Sequence, residues 1–251
     1  MSDAVVDSWD NRSDEYFMNV EADIKRIKEE PSWAFPRPVY AMIREKFPDL
    51  HGKRVLVPSS GGNEAVYGFH MLGAKVTSAD ISERQIFNAK HIADSNGWDI
   101  EFLCADSMNL DCINDGEYDL VYTSNGVHVW IHDLLKMYGH FHRALRSGGS
   151  YIMFETHPFD RPFDTNNQEI VIIKPYENVG PFGNPPTYAW RIQDIFNSVI
   201  KAGFTLEHME EFHPEIGDCD SWWDRYEEEK FDWNQNPWAA LPQWIGISAA
   251  K

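Results

Sequence analysis

Short apolar runs alternate with amphipathic stretches along most of the chain. Residues 54–58, 75–80, 100–104, 118–124 and 150–155 are runs rich in β-branched or aromatic side chains, and each ends at small, polar or charged residues. Helical patterns lie between them. One covers 63–72 and is closed by Gly73; another covers 82–96, opening on a capping box of Ser82 and Gln85 and ending at Gly97. A short, degenerate helix is predicted over 107–112. The next, over 132–145, aligns Leu134, Leu135, Tyr138, Phe141 and Leu145 on one face before the turn at Gly148 and Gly149. Strands that alternate with helices in this way predict an α/β fold: a mostly parallel, Rossmann-like sheet with helices on both faces.

The flanks follow a different pattern. In residues 1–50 a thinly apolar helix is predicted over 20–30, through Ile24 and Ile27, and another over 39–47. Pro31, Pro36 and Pro38 separate the two. After the fifth strand, residues 157–186 are rich in proline and glycine around one alternating run, 169–175, which predicts an insertion with its own strand. Helical spacing of Ile192, Ile195, Phe196, Val199 and Ile200 then predicts a helix over 188–202, stopped by Gly203. Two last strands, 204–212 and 243–249, bring the sheet to seven. The segment joining them holds Trp222, Trp223, Trp233 and Trp238 among acidic residues. The expected organisation is one domain: a helical cap over 1–50, a core over 51–156, the 157–186 insertion as a substrate lid, and a C-terminal helix with two strands over 187–251.

Charge narrows the function. The chain of 251 residues has a formal net charge of −18, which repels phosphate backbones and disfavours nucleic acid as a partner. No apolar run reaches membrane-spanning length, and the acidic first ten residues lack a basic, then apolar, leader, so no membrane association and a cytoplasmic location are expected. Cys104, Cys112 and Cys219 have neither disulfide nor metal-ligand spacing. No metal site is expected.

The chemistry concentrates at Val55-Leu56-Val57-Pro58-Ser59-Ser60-Gly61-Gly62-Asn63, an apolar strand entering a small-residue turn. Gly and Ser leave room for a ligand to approach backbone N–H groups. Asp80 ends the second strand, placed to accept both hydroxyls of a ribose. The three spaced glycines of a dinucleotide loop are missing, so the pyrophosphate fit is poor.

In these residues the chain resembles the class I S-adenosylmethionine (SAM)-dependent methyltransferases. Val55-Leu56 matches the family's first strand, although Val57 stands where the family usually has an acidic residue and Ser59 where it has its first glycine. Ala79-Asp80-Ile81-Ser82 looks like the ribose-binding strand end and Cys104-Ala105-Asp106-Ser107 like the adenine-binding turn. Tyr118-Asp119-Leu120-Val121-Tyr122 resembles the fourth strand, and Leu145-Arg146-Ser147-Gly148-Gly149 the turn before the fifth. The likeness covers roughly residues 8–250 and implies a seven-stranded sheet whose last strand inserts antiparallel. SAM is then the cofactor and S-adenosylhomocysteine (SAH) the product.

The resemblance also implies site residues. Ser59, Gly61 and Gly62 form the loop under SAM, Asp80 takes the ribose, Ile81 and Met108 sandwich the adenine, and Ala105, Asp106 and Ser107 edge it. Asn125 and Gly126 approach the methionine part through backbone groups, with Trp130 beneath the cofactor. Trp9-Asp10 and Tyr16 would fold over the site or simply pin the N-terminal segment. His128 is a candidate general base or a pocket wall, and His157, beside Glu155, is a weaker candidate. Trp33, Phe35, Tyr176, Phe182 and Trp190 are candidate walls. The expected activity is methyl transfer to oxygen or nitrogen of a small-molecule acceptor, by a monomer or homodimer. The alternatives are a non-catalytic SAM- or SAH-binding module and an NAD-dependent Rossmann enzyme that uses the same Asp80.

Overall fold

The strand β1 (Arg54–Pro58) is apolar on both faces because it is covered on both. Val55 and Val57 point into one core layer and Leu56 into the other, all fully buried, as the two-residue period of a strand dictates. In the computed structural model, which describes residues 3–164, 167, 169–213 and 232–251, it sits near the middle of a seven-stranded sheet. The other strands are β2 (Lys75–Asp80), β3 (Glu101–Cys104), β4 (Tyr118–Thr123), β5 (Leu145–Thr156), β6 (Thr205–Phe212) and β7 (Trp244–Ala250), in the order β3-β2-β1-β4-β5-β7-β6. β1 to β5 pair in parallel, whereas β7 runs antiparallel to both β5 and β6. The expected α/β class, strand number and final antiparallel strand are all present. Strand order reverses between β1, which turns toward β2, and β4. Such a switch opens a crevice at the carboxyl ends of the strands.

One layer packs α1 (Asp3–Glu29), α2 (Arg37–Lys46), α3 (Glu64–Met71) and α4 (Glu83–Asn96) on the sheet. The other packs α5 (Leu134–Ala144) and α6 (Ile192–Lys201). Caps follow the sequence: Ser82 Oγ accepts from Gln85 N at 3.0 Å, and Gly97 closes α4 in the left-handed conformation with φ +69°.

Three elements differ from expectation. Helix α1 begins at Asp3 rather than near residue 20, because Val5, Ser13, Val20, Ile24 and Ile27 make a stripe at helical spacing that buries against the fold. A serine in the stripe and charges around it hide that periodicity. The helix expected over 107–112 does not form: Asp106 Oδ1 accepts from Met108 N at 2.8 Å and its carbonyl from Asn109 N at 2.7 Å, making a turn. The strand expected over 169–175 is reduced to a single bridge, Phe163 to Ile172, and the Ile172 side chain is exposed. No helix among the described residues is long and apolar enough to cross a membrane. Cys104 and Cys112 are free thiols. Cys219, Trp222 and Trp223 lie outside the described residues.

Candidate active site

At the carboxyl ends of β1, β2 and β4, a cavity of about 430 Å³ opens under α1, within the ~300–1,000 Å³ usual for small-molecule sites. Its floor is the loop after β1. Ser59 and Gly61 both have positive φ, 53° and 51°. A Cβ on Gly61 would lie 2.9 Å from Gln85 Oε1, and one on Gly62 2.8 Å from Ala89 Cβ, so both glycines are needed for α4 to close on the loop. Side-chain bonds hold the loop in place: Ser78 Oγ donates to the Gly61 carbonyl at 2.6 Å and Ser60 Oγ to that of Val57 at 2.7 Å. Asn63 caps α3 through Ala65 N and donates to Ser124 Oγ at 2.7 Å, which ties the loop to the end of β4.

Asp80 lines the cavity at the end of β2 and is 9% exposed. Burial pushes its carboxyl up to about 6, against the pull of the Ser82, Gly61 and Ile81 N–H groups, and Asp10 pushes it further up. Ser82 N donates to Asp80 Oδ1 at 2.9 Å. A carboxylate offers about four acceptor positions, so these N–H groups leave capacity toward the cavity.

The roof is α1. Ser82 Oγ donates to Asp10, Arg84 Nε to Asp14 at 2.9 Å, and Asn88 Nδ2 to Ser13 Oγ at 3.0 Å, fastening the helix along α4. Trp9 packs its ring 5.5 Å from Trp130 and 5.6 Å from Tyr16. Trp9, Tyr16 and Trp130 all line the cavity, and Tyr16 is half exposed at its edge.

Of the residues expected around a cofactor, Tyr16, Ser59, Gly62, Asp80 and Ile81 line this cavity, as do Ser107, Asn125, Gly126 and Trp130. Gly61, Ala105, Asp106 and Met108 are not among the lining residues. Gly61 is taken up under α4, Met108 is buried in the α5–α6 core layer with Ala105 packed against it, and the Asp106 carboxylate closes its own turn. Arg12, Glu64, Gln85 and Asn88 also line the cavity and were not anticipated. Gln85 and Asn88 had a visible signal, since polar residues three apart on an amphipathic helix mark a face that leaves the core.

The two histidines lie elsewhere. His128 is 3% exposed and faces away from the cavity, with Nε2 2.6 Å from Tyr138 Oη and Nδ1 3.3 Å from Glu155 Oε2. Glu155 is fully buried and accepts from the backbone N–H groups of Gly126 (2.6 Å), Val127 (3.0 Å), His128 (3.2 Å) and Thr156 (2.9 Å). Burial pushes its carboxyl up, but His128 and these N–H donors outweigh burial and hold it below the usual range. The placement of His128 at the cavity mouth is therefore corrected: its ring joins the network that fixes the loop after β4. His157 Nδ1 accepts from Phe159 N and its Nε2 donates to Glu211 at 2.7 Å, also outside the cavity. Burial lowers its pKa, against Glu211.

None of the five aromatic wall candidates lines the cavity. Trp33 and Phe35 are buried in the α1–α3 core layer, Tyr176 Oη accepts from Ile192 N, Phe182 pairs with Thr187, and Trp190 donates to the Ile131 carbonyl. No cluster able to hold a metal ion occurs among the described residues.

Residues 59–149, from the first loop into β5, match the family model of a methyltransferase domain. Over those residues the chain is similar to a methyltransferase domain. An uncharacterised methyltransferase of Bacillus subtilis (strain 168), YbaJ, is 24% identical over 207 residues, 80% of each chain. The fold is shared with a SAM-dependent methyltransferase of Mesorhizobium loti (TM-score 0.65, 20% identity, 84% of this chain and 97% of that one). It is shared too with a protein of Listeria monocytogenes assigned to the same class (TM-score 0.63, 21% identity, 84% and 96%). The SAM expected from the resemblance fits this site: a buried carboxylate with acceptor capacity, a floor of small residues and an enclosing roof. Bound there, SAM supplies an electrophilic methyl group on a sulfonium.

Proposed function

We propose that this methyltransferase acts on oxygen or nitrogen of a small-molecule acceptor. The observation that carries this is the roof: α1 is fastened along α4 and its Trp9 packs on Trp130, leaving a cavity of about 430 Å³ for cofactor and acceptor together. A folded macromolecule would have to displace that helix. The net charge of −18 further disfavours a polyanion. In this reading Asp80 accepts from the ribose hydroxyls, Ile81 and Ser107 border the adenine, and Asn125 and Gly126 border the methionine end.

Methyl transfer to a good nucleophile is an in-line displacement, so alignment and exclusion of water lower its barrier. The Glu155 network holds the Gly126–His128 backbone that borders the reacting centre, and α1 excludes water. His128 acts here as a positioning residue. Turnover of SAM with a panel of small phenols, carboxylic acids and amines tests the reading. Methylation of a panel member is the expected result; methyl transfer to RNA or protein but to no panel member would overturn it.

A further inference from the structure

The cavity is not uniform. Toward β2 and α4 its lining is polar, with Asp80, Gln85, Asn88 and Ser107. Beyond Gly126, on the side that the reading above gives to the reacting methyl group, it is apolar: Val5 and Trp9 of α1 line it together with Val127, Val129, Trp130 and Ile131 of the loop after β4. The only polar atoms of those six side chains are the two indole N–H groups, which donate hydrogen bonds and cannot take a proton. The main-chain carbonyls of the loop are spent: those of Val127, Val129 and Ile131 accept from Trp130 N (3.1 Å), Tyr188 N (2.8 Å) and Trp190 Nε1 (2.8 Å).

This lining sorts acceptors. An alkylamine enters protonated, brings N–H donors to spent carbonyls and finds no base beside it. A carboxylate needs several donors for its two oxygens, and burying that charge among apolar side chains is costly. A phenol fits, because its flat ring packs on Trp9 and Trp130, an edge-to-face pair 5.5 Å apart, and its single oxygen can be served by an indole N–H. We propose that the acceptor is a phenol that enters already ionised, its ring against Trp9 and Trp130 and its oxygen aimed at the methyl group of SAM. The proposal rests on the small-molecule reading above. The phenol's proton leaves to water before binding. An oxygen lone pair then forms the bond to the methyl carbon while the carbon–sulfur pair passes to sulfur, so an anion and a sulfonium become a neutral ether and a neutral thioether.

The charged and titratable groups around the cavity do not take over the proton step. Arg12 and Tyr16 follow Trp9 on α1; Glu64, buried at the start of α3, acts on Tyr67 and Tyr122; Asp80 lies at the ribose end; α4 contributes the neutral Gln85 and Asn88; and the His128 ring is turned toward Tyr138. Burial raises the Tyr16 hydroxyl, with Glu64 and Glu15 adding to it and Arg12 pulling it down. A phenolate is disfavoured in the empty cavity for the same reason. With a positive charge at the sulfonium position that balance reverses, so the acceptor follows the cofactor.

Binding and turnover test this separately. Para-nitrophenol, whose anion is coloured, is titrated into protein loaded with SAH or with sinefungin, which keeps a positive charge where SAM has its sulfonium. The expected result is a bound anion, held roughly 10-fold more tightly beside sinefungin than beside SAH. Trp9→Leu and Trp130→Leu should weaken para-nitrophenol about five-fold more than they weaken SAH. Thermal unfolding checks that each variant is folded, and the wild-type measurements stand even if one is not. In turnover with para-substituted phenols over about pH 6 to 10, the pH limb of kcat/KM should move with the acidity of each phenol. A limb fixed at one pH for every phenol would mean a base in the protein and would overturn the proposal. Equal para-nitrophenol affinity in the two complexes, no binding of it in either, or methylation of alkylamines or carboxylic acids in preference to phenols would do the same, and each leaves the small-molecule reading standing. Methyl transfer to RNA or protein alone would remove both.

Discussion

Two carboxylates end parallel strands of the same sheet, and the protein uses them in opposite ways. Asp80, on β2, and Glu155, on β5, are both buried, yet Asp80 is raised to about 6 and Glu155 is held below its usual range. The difference lies in how much of each acceptor capacity the protein itself consumes. Glu155 receives four backbone N–H groups and has His128 alongside, so its charge is compensated internally and it faces no cavity. Asp80 keeps unspent capacity and faces one. A saturated buried carboxylate shapes a loop, whereas an undersatisfied one beside a cavity is ready for a ligand that donates hydrogen bonds.

The largest expected effect breaks the saturated side. Glu155→Gln should cost about 3 kcal/mol of stability, because two orphaned N–H donors then face an amide that cannot accept from all four. Urea unfolding measures it; a change below about 1 kcal/mol would show that the network is not saturated. The pH sign follows from the lowered pKa. Glu155 contributes stability above its unfolded-state pKa, and the contribution is lost as acid takes the protein through the lower folded value. Asp80 has the opposite sign: its ionisation costs the empty protein stability, so the cost should shrink as pH falls through about 6.

Next in size is His128→Ala. A positioning role predicts a kcat loss below about 10-fold with the pH profile unchanged, against the ~10²- to 10⁴-fold of a general base. A larger loss with a vanished pH limb would restore the base. The smallest effect is expected at Asp106→Ala. Its carboxylate is spent on its own turn, so SAH affinity should move by less than about 0.5 kcal/mol. A loss of more than about 1 kcal/mol, confined to ligands with an adenine amino group, would return Asp106 to the base-binding edge.

The unequal use of Asp80 and Glu155 also explains what could be read in the sequence. Strands β1 and β2 end where the apolar runs end, because burial on both faces leaves only one pattern that works. Asp80 follows from its strand. The role of Glu155 does not, because its partners are backbone groups of a loop far back in the chain that carry no side-chain signature. Trp9 and Tyr16 stood out as aromatics, but the helix that makes them a roof was hidden by Ser13 in its buried stripe. Conversely, Tyr176 and Phe182 drew attention by type alone, and the 157–186 segment supplies no described residue to the cavity. Aromatic content there did not mark a wall.

The most direct measurement is SAH affinity across pH 5 to 8 for wild type and Asp80→Asn, a range that brackets the value of about 6. If Asp80 takes the ribose as proposed, the ribose hydroxyls donate to its carboxylate and favour the ionised form. Wild-type affinity should therefore fall as pH drops below about 6. Asp80→Asn should bind about 1 to 3 kcal/mol more weakly at neutral pH and lose that dependence. An asparagine variant that binds SAH as tightly as wild type, or that retains the same pH slope, would contradict the account.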